Sequence, residues 1–130
     1  MAGRAQPGPN PLDTWASGGL RFLVEIFAWV AGPWAAGEWL GIWAVPVALV
    51  VLLALPAVFS VVGDKNQVIR PVSGPVRFAI EILLSAVAVI AAWVVWPTWL
   101  AVVVTAVVAF GLVTGLPRAR WLLSGAPPFE

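Results

Sequence analysis

From Ile82 to Pro117 the chain carries no charged side chain. As one helix that run would be about 54 Å long, whereas the hydrocarbon core of a bilayer is about 30 Å thick. The run must therefore turn once inside itself. The turn falls at "WVVWPTW", where Pro97 ends one helix or begins the next and the tryptophans suit a headgroup interface. A second charge-free run, Trp39 to Val62, supplies a crossing of ordinary length. A segment opening near Leu20 supplies a fourth. The expected crossings are residues 20–37, 40–62, 76–95 and 98–116. "GPWAAGEW" and the proline turn connect them on one side, and "GDKNQVIRPVSGP" connects them on the other.

Composition agrees. Of 130 residues, 62% are hydrophobic and only 10% charged, and the mean hydropathy is +0.99, values that point to the bilayer. The expected fold class is all-α: an integral membrane bundle of four transmembrane helices built from two parallel two-helix repeats. Its parts are an irregular cytosolic leader (1–19), a first hairpin (20–62), a cytosolic loop (63–75), a second hairpin (76–117) and a cytosolic tail (118–130). The leader contains prolines and glycines and lacks an apolar stretch, so it is not read as a signal peptide.

Orientation follows from the basic residues. Arg4 and Arg21, then Lys65, Arg70 and Arg77, then Arg118 and Arg120 all fall on one side of a four-span arrangement. The positive-inside rule makes that side the cytoplasm, with both termini there. Six arginines against one lysine, with abundant Ala, Val and Gly, suit a GC-rich bacterial genome and hence the inner membrane. The other side gathers Glu38 with Trp29, Trp34, Trp39, Trp43, Trp93, Trp96 and Trp99. These read as an aromatic belt at the outer interface, with a tryptophan-lined binding surface as the alternative.

Several chemistries are excluded. Without cysteine there are no disulfides, iron–sulfur clusters or thiolate zinc sites, and without histidine there is no imidazole relay or general base. A net charge of +1 argues against nucleic-acid binding. No nucleophile stands beside a base, no residues have metal-ligand spacing, and no glycine-rich phosphate loop is present. No enzyme, cofactor or metal is expected.

The unusual feature is a repeated charged motif. "LRFLVEI" carries Arg21 and Glu25, and "VRFAIEI", 56 residues later, carries Arg77 and Glu81. The uncharged remainder of the first crossing, Ile26 to Gly37, spans only about 18 Å, which places Glu25 at hydrocarbon depth. Glu25 shares a helix face with Ala28, Gly32 and Ala36, and Glu81 shares one with Ser85, Ala88 and Ala92. Small residues mark close helix approach, so both carboxylates are expected to point into the bundle. Each glutamate lies four residues from its own arginine, within reach of a direct pair, or of a pair across the pseudo-twofold axis. Three readings stay open: a self-neutralising network that fixes packing, a glutamate that binds a proton or cation, and an arginine-led site for an anionic headgroup.

Smaller features complete the picture. Pro56 is expected to bend the second helix by freeing the carbonyl of Leu52, either as a packing accommodation or as a hinge. "GLVTG" and the Ala101, Thr105, Ala109 face read as helix contacts, and "PRARWLLSG" as a short surface anchor on anionic lipid. The duplicated "RFxxEI" opening, four short crossings and basic tail resemble the YrdB family of small bacterial membrane proteins, over roughly Leu20 to Leu123. The resemblance brings no established activity. It marks only where the motif's Arg and Glu fall: Arg21, Glu25, Arg77 and Glu81. The expected partners are the lipid bilayer and either a second copy of the chain or a larger membrane complex. The preferred role is an accessory or self-assembling bundle; the alternative is a small proton- or cation-coupled transporter using Glu25 and Glu81.

Overall fold

The computed structural model describes residues 10–64 and 68–128. In order these form α1 (Trp15–Leu40), α2 (Ala44–Val58), strand β1 (Phe59–Ser60), strand β2 (Arg70–Pro71), α3 (Gly74–Val95), α4 (Thr98–Thr114) and α5 (Leu116–Leu123). The first nine residues of the leader, the loop segment 65–67 and the last two residues of the tail lie outside the described residues, and Arg4 and Lys65 with them.

Helix α1 begins inside the stretch expected to be an irregular leader. Thr14 and Ser17 form a reciprocal capping box there: Ser17 N donates to Thr14 Oγ1 at 3.1 Å, and Thr14 N donates to Ser17 Oγ at 3.0 Å. The helix continues through "GPWAAGEW", which the sequence suggested as a connection, and ends only at Gly41. Gly41 has φ +103°, the left-handed region that glycine enters without a Cβ clash. Pro33 lies inside α1 without interrupting it.

Helix α2 is shorter than the charge-free run that encodes it. Pro56 falls in its last turn, and after Val58 the chain leaves the helix to form β1, which pairs in parallel with β2. The expectation that Pro56 frees the carbonyl of Leu52 has a definite answer here: the indole Nε1 of Trp29 donates to it at 2.9 Å. The other connections are tight. Ser73 caps α3, Pro97 precedes α4 at the turn read from the sequence, and α5 bends 63° from α4 at Gly115.

Helix α1 is central, packing most extensively against α3 and also against α2 and α4. The core joins Val24 and Ala28 of α1, Leu52 of α2, Leu84, Ala88 and Ala92 of α3, and Ala101, Val104 and Val108 of α4. Three helices meet at Gly32, where an added Cβ would lie 2.7 Å from Leu52 Cδ1 and 2.9 Å from Val87 Cγ1. The small-residue faces read from the sequence do turn inward. Ala28, Gly32, Ala88 and Ala92 are buried, and Ala36 and Ser85 are half-buried.

A second, smaller core sits at the arginine end. Val61, Trp121 and Leu122 are buried there among Leu12, Val72 and Phe78. This corrects the reading of "PRARWLLSG" as a surface anchor, because Arg118, Trp121 and Leu122 face the protein. Gly74 makes the docking possible: a Cβ at that position would lie 1.8 Å from the carbonyl oxygen of Leu122.

By length and composition, α3 alone qualifies as a membrane span among the described residues, or α3 together with the bent α4–α5 pair. Only 28% of the apolar window of α3 is buried inside the protein, and the rest is partly or fully exposed. Helix α2 is apolar but has 15 residues, about 23 Å of rise. Helix α1 has 26 residues but carries Arg21, Glu25 and Glu38.

Candidate functional site

Helices α1 and α3 run parallel, so their charged N-terminal halves meet where α2 and α4 end. At this end Arg77 is 1% exposed. Its Nε donates to Glu81 Oε2 at 2.9 Å, the direct pair that the four-residue spacing allows. Its Nη1 donates to the carbonyls of Pro56 at 2.9 Å and Phe59 at 2.7 Å. Arg77 thus closes the C-terminal end of α2, where the last carbonyls of a helix and its dipole favour a cation.

Arg118, which the sequence offered only as a marker of orientation, joins two acids. Its Nη1 and Nη2 each donate to a different oxygen of Glu81 at 2.8 Å. Its Nε donates to Asp64 Oδ1 at 2.8 Å and its Nη2 to Asp64 Oδ2. Asn10 Nδ2 adds a bond to Asp64 Oδ1 at 2.8 Å. Burial alone would raise the Asp64 pKa, but the paired hydrogen bonds and charge of Arg118 outweigh it and hold the carboxyl below its ordinary range. The guanidinium fork suits two such bidentate contacts, which an ammonium could not make.

The first copy of the motif is used differently. Arg21 donates from Nη1 and Nη2 to both oxygens of Asp13, at 3.1 and 2.6 Å, and Ser17 Oγ donates to Asp13 at 2.9 Å. Arg21, Glu25, Glu81 and Arg118 meet around a cleft of about 60 Å³ between α1, α3, α4 and α5, along with Ser17 and Ser85. Arg77 turns away from it toward α2. Such a volume holds a few waters or a small ion and is far below the roughly 300 Å³ of a pocket for an organic ligand. At the 56-residue offset of the two motifs, buried Ala28, Gly32 and Ala35 correspond to buried Leu84, Ala88 and Ala91.

No family model, curated protein or solved structure matches this chain. The site must be read from its own geometry.

The tryptophans divide by role. Trp29 serves Leu52, Trp93 Nε1 donates to Thr105 Oγ1 at 2.9 Å, and Trp96 stands edge-on between Phe27 and Trp34. Trp34, Trp39, Trp43 and Trp99 are exposed. Sequence reasoning missed Asp13, Asp64 and Arg118 as partners. The available signal was the break at "GLPR" after the long apolar run, which lets Arg118 fold back under the bundle.

Proposed function

We propose that the chain is a multi-pass bacterial inner-membrane protein with both termini cytoplasmic, and that it works without catalysis as an accessory or self-assembling bundle. In this reading it crosses four times, and α1 and α3 descend from one duplicated hairpin of the YrdB-like kind. The outward-facing apolar side chains of α2, α3 and α4, such as Val50, Ile90 and Phe110, support lipid contact. The observation that carries the non-catalytic reading is the state of Glu81. Both its oxygens are engaged by arginines, so its charge is committed to holding α3, α5 and the end of α2 together.

A second reading is favoured by one observation. Glu25 and Glu81 line the same small cleft, two carboxylates brought together from α1 and α3. A proton or cation taken up by Glu25 beside Glu81 would serve a small coupled transporter. Gentle purification followed by native mass spectrometry, with flux assays on Glu25→Gln in proteoliposomes, separates the two. A stoichiometric partner or homo-oligomer is expected, with no flux. A lone monomer whose cation flux disappears in Glu25→Gln supports transport instead.

A further inference from the structure

Helices α1 and α3 also finish together, at the end opposite the arginines. An open groove of about 440 Å³ lies there, lined by Trp34, Glu38, Trp39, Val94 and Val95. We propose that this groove binds an organic ammonium group, whose cation rests on the indole faces and is paired by the Glu38 carboxylate.

Three features favour a cation. Trp34 and Trp39 are 50% and 62% exposed, so their rings are open to a ligand, and tryptophan is the strongest cation–π partner among the side chains. Trp96 holds Trp34 in place, edge-on at 6.4 Å with the planes 87° apart. Glu38 is exposed and is the acid of this end among the described residues, while the described arginines sit at the other end or in the segments joined to it. Finally, the groove lies at the C-terminal ends of two parallel helices. Neither has a basic residue in its last turn, so both dipoles present their negative ends to it. Interfacial anchoring explains exposed indoles, but it requires neither a carboxylate beside them nor a lack of basic residues among the described residues of this end.

A groove of this size accommodates a trimethylammonium or primary ammonium headgroup. The shared chemistry can come from a phospholipid or from a free ammonium compound, and the experiment separates the two. The purified full-length protein is titrated with radiolabelled choline in a maltoside detergent, alongside 3,3-dimethyl-1-butanol, the neutral isostere of choline. In parallel, lipid retained in nanodiscs formed from mixed phosphatidylcholine and phosphatidylglycerol is counted. Saturable choline binding that the isostere does not displace assigns the site to free ammonium compounds. Selective retention of phosphatidylcholine without choline binding assigns it to the lipid.

In either case Glu38→Gln and Trp39→Leu should weaken the measured binding about tenfold, and Trp99→Leu should leave it unchanged. All three positions are exposed, and helicity by circular dichroism checks that each variant folds. No binding in either arm overturns the proposal. So does displacement by the isostere, or retention of binding in Glu38→Gln.

Discussion

Arg118 and Glu81 lie 37 residues apart in sequence and meet through two parallel hydrogen bonds of 2.8 Å each, joining the short last helix to the first third of α3. Arg77 binds the same carboxylate from within α3, and Asp64 binds the same guanidinium from the loop. A chain of alternating charges therefore ties α3 to α5, to the loop at Asp64 and to the end of α2. Buried ion pairs of this kind contribute little net stability against an apolar replacement, but they are costly to break singly. Their effect is to specify one arrangement.

The tryptophan that answers Pro56 is open to a direct test. Trp29→Phe removes the donor to Leu52 and should destabilise the protein by about 1–3 kcal/mol. In a Pro56→Ala background the restored backbone N–H can reach the same carbonyl, so the cost of Trp29→Phe should shrink. Equilibrium unfolding of the four proteins measures the difference. An undiminished cost would separate the indole from the proline.

Gly74 is the contact on which α5 rests. Gly74→Ala forces a methyl group against the Leu122 backbone, and the helix must shift. Hydrogen exchange should show α5 losing protection while Ala88 to Ala92 keep theirs, with a stability loss of about 1–3 kcal/mol. Equal protection of α5 in the variant would contradict the docking.

Asp64 gives the network an acid limit. Its folded pKa is lowered from an ordinary 3.8, so its contribution is present above that value and is lost as pH falls through the lower folded value. Thermal stability should decline below about pH 4 in the native protein. Asp64→Asn should be less stable at neutral pH and show a flatter profile in that acid range.

Ser60 offers a change in the opposite direction. Among the described residues its Oγ is the buried side-chain oxygen without a hydrogen-bond partner, at 1% residue exposure. Ser60→Ala should raise stability by about 1 kcal/mol, read as a higher melting temperature. A loss of similar size would mean that the hydroxyl has a partner in solution.

Local chemistry made some of this legible in advance. The proline turn at Pro97, the inward small-residue faces and the Arg77–Glu81 pair follow from helix limits and from four-residue spacing, which a sequence displays. The partners of Arg118 and Arg21 were not legible. Asp64 lies 54 residues from Arg118, and Asp13 lies in a leader whose composition suggested no order. The end of α2 was also hidden. An apolar run shows where charges are absent, not where a helix stops, and Val61 continues the run into a different core. The two copies of the motif look equivalent in sequence but differ in use, because Arg77 has the last carbonyls of α2 to close and Arg21 has Asp13 beside it.

The central claim is that Glu81 is a structural node, and a double-mutant cycle on Arg118 and Glu81 tests it most directly. Unfolding free energies in mixed micelles are compared for the native protein, Arg118→Met, Glu81→Gln and the double variant. Each single change should cost about 3 kcal/mol, because each takes one of two counter-charges from a buried group, and the double variant should recover at least about 1 kcal/mol of the summed loss. Strict additivity, or a Glu81→Gln protein as stable as the native one, would contradict the account.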